Sequence, residues 1–437
     1  MTRIRTPRSC AKTLRSTWLR RRVVPAVRSI ILAALAACSA IPRNPAPPIA
    51  AGVGRPGGLP ASVRTTGLDE QRFRSMSGRA VERVRAAAAD GTLDVLALSG
   101  GGAGGAFGAG ALVGLTRRGG RPQFEIVTGV SAGALIAPFA FAGEAWDGKL
   151  TEALAGTSTG GLLRRRTLDV LFRPSLYRGG PLADFVQRIM SDALIDAVAA
   201  EAEKGRLLLI ATTDLDRQSA MIWNMGAIAR EHSAAARKLF RDVILASGSI
   251  PGMFPPVLIR VETDGGSFDE MHVDGGTTVP FFVAPEIAHI VPTQLPGLAG
   301  ANLYVLMNTQ LGGVPDTVPG LLGPIVARSS AVVLTYMSRK ELQVASAFAH
   351  EHEMTFRVTS IPVDYPYGGS IDFRETDVRA LFEYGERCAE AGLLWTTPAE
   401  ALHGERAALN RLESGSGKRK EQTRASDVPC PLDHVTP

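Results

Sequence analysis

Apolar and polar residues alternate along this chain in a rhythm that changes several times. "TLDVLALSG" (92–100) is a short apolar run that closes on glycine, the form of a buried strand. "AGALVGLTRRG" (109–119) follows as a helix, "FEIVTG" (124–129) as a second strand and "AGALIAPFAFAGEA" (132–145) as a second helix. "RLLLIATTDLD" (206–216) predicts a third strand, and "ANLYVLMNT" (301–309) a later one. Residues 68–89 read as a polar, amphipathic helix, and 327–353 and 376–395 as C-terminal helices. Strands alternating with helices predict an α/β fold in three layers, a mostly parallel central sheet with helices on both faces. No internal repeat interrupts it.

Composition changes that picture mainly at the N-terminus. The chain has 437 residues, 45% hydrophobic and 21% charged, which is ample apolar material for a large core. Residues 1–28 hold nine bases and no acid; removing those nine from the net charge of +6 leaves −3. The body is therefore near neutral, and its charge gives no reason to expect a nucleic-acid partner. After the bases comes "SIILAALAACSAIP", too short to span a membrane. A charged start, a short apolar run and small residues at its end predict a secretory signal. Leu35-Ala36-Ala37-Cys38 resembles the lipobox of bacterial lipoproteins, which implies cleavage before Cys38 and lipidation of its thiol. The expected order is a signal over 1–37, a Pro/Gly-rich tether over 38–60, one catalytic domain over 61–404, and a polar, structureless tail over 405–437. The mature chain is expected at a membrane, in the periplasm or on the outer membrane. Cys388 and Cys430 are free to pair in an oxidising compartment.

Two stretches fit Gly-x-Ser-x-Gly, the pattern that holds a nucleophilic serine on a tight turn. In the first, Gly129-Val130-Ser131-Ala132-Gly133, the serine follows a strand and opens an apolar helix among small residues. That context suits a strained strand-turn-helix elbow. In the second, Gly156 to Gly160, Ser158 follows a helix and reads as a turn, so Ser131 is the candidate nucleophile. Gly100-Gly101-Gly102, at the end of the first strand, offers backbone N–H groups to a developing oxyanion. With Gly105 this loop also fits a dinucleotide fingerprint, but the acid expected at the end of the second strand is missing; Glu125 begins that strand instead. No Gly-Lys-Ser/Thr follows, so a P-loop is excluded. Two Asp-Gly-Gly stretches offer a base. Asp264 sits in polar "VETDGGSFDEM", a hairpin turn, whereas Asp274 with Gly275 and Gly276 ends an apparent strand and precedes apolar "VPFFVAP". Asp274 is the stronger candidate.

In this order, Gly100-x-Gly102-x-x-Gly105, Gly129-x-Ser131-x-Gly133 and Asp274-Gly275-Gly276 resemble the patatin-like phospholipases. "TTDLDRQSAMIWNMGAIA" and "ILASGSIPGMFPPV" look like segments of that family too, so the resemblance covers roughly residues 93–395. It implies a lipid acyl hydrolase of phospholipase A or lysophospholipase type. On that pattern Ser131 attacks, Asp274 takes its proton, no histidine is catalytic, and no metal or cofactor is needed. Phospholipid is the implied substrate; a neutral-lipid or short-chain esterase and a non-catalytic lipid-binding lipoprotein are the alternatives. The family often has Lys or Arg two residues after the third loop glycine, where this chain has Gly104. A triad Ser131…Asp274…His289 has the order of an α/β-hydrolase, but His289 lies in apolar "EIAHIVP", as a core histidine does. Asp214 and Asp216 are expected to orient nearby backbone.

Overall fold

The structure, a computed structural model, describes residues 41–45, 54–66, 84, 86–156, 161–164, 175–283, 298–313, 315, 317–414 and 424–434. Cys38, Ser158, His289 and most of the helix expected at 68–89 lie outside these residues. The strands in chain order are β1 (Arg55–Pro56), β2 (Arg64–Thr66), β3 (Asp94–Leu98), β4 (Ile126–Val130) and β5 (Leu207–Asp214). They continue with β6 (Ser219–Asn224), β7 (Val257–Thr263), β8 (Gly266–Asp274), β9 (Asn302–Met307) and β10 (Thr355–Ser360). The helices are α1 (Gly105–Arg117), α2 (Ala132–Ala142), α3 (Asp147–Leu154), α4 (Gly180–Ile189) and α5 (Asp192–Glu203). After them come α6 (Met225–Ala229), α7 (Ala234–Ser247), α8 (Leu322–Glu351), α9 (Glu375–Glu390) and α10 (Pro398–Ser414).

All the strands join one sheet of order β1-β7-β8-β5-β4-β3-β9-β10, with β6 beside β5 and β2 beside β6. β5, β4, β3, β9 and β10 run parallel, as the alternating pattern predicts. The remaining pairs, β7–β8, β8–β5, β5–β6, β6–β2 and β1–β7, are antiparallel and extend one side of the sheet. A strand covered on both faces should be apolar throughout. In β3, Leu96 and Leu98 join the larger core, which α1, α2, α5, α7 and α9 also line, while Val95 and Ala97 join a second core beneath α8 and α10. β9 divides in the same way, with Leu306 on one side and Val305 and Met307 on the other. Three layers follow from that two-sided burial.

Glycine sets the tightest of these contacts. A Cβ on Gly110 of α1 would stand 2.0 Å from the Phe382 carbonyl of α9, and one on Gly385 would stand 2.3 Å from the Phe107 carbonyl. The two helices therefore pack backbone against backbone.

Two expectations are corrected. The stretch from 405 on is not a structureless tail where it is described. α10 runs to Ser414, and 424–434 is tied to the body: Cys430 is bonded to Cys388 of α9, and the Tyr384 hydroxyl donates to the Pro429 carbonyl at 2.7 Å. Nor is 38–60 free where it is described. Arg55–Pro56 pairs with β7, Arg43 forms a two-pronged ion pair with Asp216, and the Asn44 N–H donates to Asp269 Oδ2 while the Asp269 N–H donates to the Asn44 carbonyl. Composition misses such docking because a few backbone and ion-pair contacts hold a segment that buries little apolar surface.

The Cys388–Cys430 bond closes a loop with a sequence separation of 42. A cross-link of that span stabilises by about 2–4 kcal/mol through the unfolded chain. Cys430→Ser, or a reductant, should lower Tm by roughly 4–8 °C. An unchanged melting curve under reductant would show that the cross-link does not restrain the chain.

Candidate active site

β5 has two edges. β6 occupies one of them along Leu209–Asp214. On the other edge β4 pairs as far as Val130 opposite Ala211, and β8 takes over with Asp274 opposite Thr212. Two strand ends thus meet head-on along one edge, and the residues at their tips are Ser131 and Asp274. The Ser131 Oγ donates to Asp274 Oδ2 at 2.5 Å, and both residues are buried.

Ser131 sits at φ 53°, ψ −119°, a strained conformation for a residue with a side chain. Its surroundings impose it. β4 must turn at once into α2, and the turn is compressed: a Cβ on Gly133 would lie 2.3 Å from the Leu98 carbonyl, and one on Gly129 would lie 2.7 Å from the Gly133 carbonyl. The Ser131 N–H donates to the Ser247 Oγ at 2.9 Å, and the Ser247 hydroxyl donates to the Ala211 carbonyl at 2.7 Å. A hydroxyl at the end of α7 therefore pins the strained turn to β5.

Asp274 is held at both oxygens. Oδ1 accepts the Gly276 N–H at 2.7 Å, while Oδ2 accepts from Ser131. Gly275 presses against the Ala211 carbonyl, where a Cβ would approach to 2.5 Å. Burial pushes the Asp274 carboxyl up to about 7, against the opposing pull of the bonds from Ser131 and Gly276. The rejected aspartate, Asp264, is exposed at the β7–β8 turn. No histidine is bonded to this pair among the described residues. His272, two residues before Asp274, faces Thr212 at 3.0 Å and Glu270 at 3.4 Å instead.

The glycine loop lies over the serine. Gly100 approaches it most closely, with room for a Cβ only at 3.1 Å from the Ser131 Cβ. Its N–H already donates to the Pro280 carbonyl at 3.0 Å, so that donor is engaged within the fold. That narrows the expected trio, because a motif does not reveal which N–H is already used. Gly105 follows at the start of α1, against Ala132. Sequence reasoning also missed what braces the loop. The Tyr367 hydroxyl donates to the Gly101 carbonyl at 3.0 Å, the Ala103 N–H donates to the Ser370 carbonyl at 2.9 Å, and the Asn308 amide donates to the Ser99 carbonyl at 2.7 Å. These partners stand some 200 residues or more away and carry no motif. Ser247 was legible only as part of "ILASGSIPGMFPPV".

Asp214, Glu270 and His272 bring ligand atoms within 4.8 Å of one another and are buried. Two guanidiniums already serve them: Arg64 pairs with Glu270, and Arg217 contacts Glu270 at 2.7 Å and Asp214 at 3.6 Å. A cation would meet those charges, so the donor set does not suit a metal. Asp214 also accepts from the Asp216 and Arg217 N–H groups, the backbone-orienting role expected of it.

The position two residues after Gly102 has no room for a long cationic side chain. A Cβ on Gly104 would lie 2.0 Å from the Asn308 carbonyl and 2.9 Å from the Tyr367 hydroxyl. Gly104→Ala should therefore cost about 2–4 kcal/mol, and Gly104→Lys should not raise activity. A Gly104→Ala variant that melts with the parent would show that the loop yields freely.

Asp274 also makes stability depend on pH. Its folded pKa, about 7, lies above the unfolded value of 3.8. The folded state thus holds this proton more tightly; the contribution is full below about pH 4 and is lost as pH rises through 7. The displacement corresponds to about 4 kcal/mol. Denaturant melts of the parent and Asp274→Asn should diverge by up to that amount between pH 4 and 8, the parent losing ground. Parallel profiles would place the carboxyl in water.

The family described as patatin-like phospholipase matches residues 96–285, a span that contains the loop, Ser131 and Asp274. Among solved structures, VipD from Legionella pneumophila is similar at 12% identity and a TM-score of 0.28, over 77% of this chain and 73% of that one. No curated protein matches the sequence.

Proposed function

Because the chain carries a patatin-like phospholipase domain over residues 96–285, we propose that it hydrolyses acyl esters of lipids, phospholipids foremost, through Ser131 and Asp274. The observation that carries this reading is the Ser131 Oγ–Asp274 Oδ2 bond of 2.5 Å, made at a strained turn with no histidine attached among the described residues. Ser131 Oγ attacks the ester carbonyl carbon while its proton passes to Asp274 Oδ2. The carbonyl oxygen becomes an oxyanion facing the Gly101 and Gly102 N–H groups, where one donor is typically worth about 10²–10³ in rate. The tetrahedral adduct collapses, the lyso-lipid or alcohol leaves with the proton from Asp274, and an acyl-serine remains. Water then attacks the acyl carbon, Asp274 takes its proton, and the fatty acid departs as Ser131 Oγ recovers a proton.

The raised pKa suits this work. A base near neutrality takes the serine proton more readily than an ordinary aspartate, and its ionised share at neutral pH remains large. A histidine is not needed to bring the base into range.

The same reading includes export and a lipid on Cys38. Arg43 and Asn44 support it. They dock on Asp216 and Asp269, beyond the end of β5 that carries the Ser131 site. The chain five residues after Cys38 is thus held at the site's end of the sheet.

The dyad is tested by non-additivity. Ser131→Ala, Asp274→Asn and the double variant should fall to a similar residual rate on phospholipid, since members of one catalytic unit do not act independently. Asp264→Asn and Ser158→Ala should stay within a few-fold of the parent, and kcat/KM should rise with pH to a plateau with a midpoint near 7. A folded Asp274→Asn that retains activity sinks the assignment. A parent that turns over only short-chain or neutral esters moves it to that substrate class. A parent that never reacts with a fluorophosphonate probe makes the chain a lipid-binding protein.

A further inference from the structure

Two backbone N–H groups of the active site end on one short piece of chain. The Ser131 N–H donates to the Ser247 Oγ at 2.9 Å, and the Asp274 N–H donates to the Ser249 carbonyl at 3.0 Å. Ser131 and Asp274 stand 143 residues apart, and the strands that carry them, β4 and β8, each pair with β5. Their acceptors are two residues apart, where α7 ends. Nucleophile and base are thus held together by one helix end, independently of the bond between their own side chains.

That helix end is itself fixed. Leu239, Phe240, Val243 and Ile244 of α7 lie in the larger core. Beyond Ser247 the chain stays tied to the helix. The Gly248 N–H donates to the Ile244 carbonyl at 3.1 Å, the Ser249 N–H to the Ala246 carbonyl at 3.0 Å, and the Ser249 hydroxyl to the Leu245 carbonyl at 2.8 Å. Ser247 and Ser249 are 0% and 1% exposed, so bulk water is no substitute for either acceptor.

The hydrogen-bond roles at Ser247 leave no freedom. A backbone N–H only donates, and a carbonyl only accepts. The Ser247 proton therefore goes to the Ala211 carbonyl at 2.7 Å, and a lone pair faces the Ser131 N–H. Ala211 is also the residue of β5 opposite Val130, where β4 stops, and its carbonyl is the one that Gly275 presses upon. One hydroxyl thus joins the nucleophile's turn to the strand against which the turn after the base also rests. Alanine at 247 would offer neither lone pair nor proton, and threonine would bring a methyl group into a position with no exposed surface. The Ser131 amide is engaged in this bond, so its task is positional.

We propose that Ser247 is a positioning residue for ester hydrolysis: its hydroxyl holds Ser131 in the strained turn while the Ser249 carbonyl holds the Asp274 backbone, so that one helix end sets the reach from nucleophile to base. The assignment rests on the acyl-hydrolase reading of the Ser131–Asp274 pair. A strained conformation persists only where its surroundings over-determine it. Without the Ser247 hydroxyl the turn relaxes and carries the Oγ off the carboxylate. A displacement of about 1 Å at a reacting group costs roughly 10²-fold in rate. Ser247 lies beneath the nucleophile and touches no substrate, so the loss falls on kcat and KM stays near that of the parent.

The test compares the full-length parent, Ser247→Ala and Ser233→Ala on phospholipid. Ser233 caps the opposite end of α7, its Oγ accepting the Ala236 N–H at 3.1 Å, about 21 Å along the helix from Ser247. Its loss weakens the same helix without touching the clamp. Active sites are counted by titration with a fluorophosphonate probe, and turnover per counted site is measured well below each Tm. Ser247→Ala should lose about 30- to 100-fold in kcat per site, with KM within about three-fold and probe labelling slowed by a similar factor to kcat. Ser233→Ala should melt earlier and keep the parent's kcat per site. A Ser247→Ala that behaves as Ser233→Ala does, with full turnover at every counted site, overturns the proposal. Where Ser247→Ala does not fold, hydrogen exchange in the parent decides. The Ser131 amide should exchange only through global unfolding, and exchange through local opening overturns the pin. A parent that neither labels nor hydrolyses any lipid ester fails the acyl-hydrolase reading, and the positioning role falls with it. A parent that labels and turns over beside an unimpaired Ser247→Ala fails the positioning role alone.

Discussion

Ser131 and Asp274 meet because one edge of β5 is shared by two strand ends. β4 arrives parallel and must leave at Ser131; β8 arrives antiparallel and must leave at Asp274. Each exit is a tight turn pressed against the backbone of a neighbouring strand, hence Gly129 and Gly133 around Ser131 and Gly275 directly after Asp274. The geometry also limits what else can enter. Ser247 occupies the space beneath the serine, and Gly276 takes the second oxygen of the aspartate. A buried carboxylate with two short-range donors and no cation is left with a raised pKa, which is the property a lone aspartate needs to serve as a base near neutral pH.

The glycine loop shows the same economy of space. Gly101 and Gly104 both press on the Asn308 carbonyl, and Gly102, at φ +56°, presses on that of Ser370. The run of glycines is thus a packing requirement as well as a source of N–H donors. It also explains why a cationic side chain is missing two residues after Gly102: Tyr367 reaches the same place from the far end of the chain and bonds the loop directly. A tyrosine hydroxyl supplies a hydrogen bond there and no charge.

Much of this was legible in the sequence, for identifiable reasons. Local signals name four of the five parallel strands, all but β10, and the strand ends at Ser131 and Asp274, because apolar periodicity and turn chemistry act within a few residues. The antiparallel extension of the sheet was legible only at the hairpin turn of Asp264 and the strand that ends at Asp274. β1 and β2 are two and three residues long and carry no periodicity of their own. The docking of Arg43, the bracing by Tyr367 and the packed segment at 424–434 depend on partners far away in the chain. The fault at Gly100 has a different origin: a loop of three glycines looks uniform until one N–H is found already bonded to Pro280.

The direction of the sheet ties the remaining features together. In parallel strands every C-terminal end points the same way, so the exits of β3 and β4 build the loop and the elbow on one side of the molecule. The antiparallel strand β8 approaches from the opposite direction, and its outer half, with Asp269, therefore lies beyond the site, where Asn44 docks. The docked start of the body, Arg43 and Asn44, therefore lies at the same end of the sheet as Ser131.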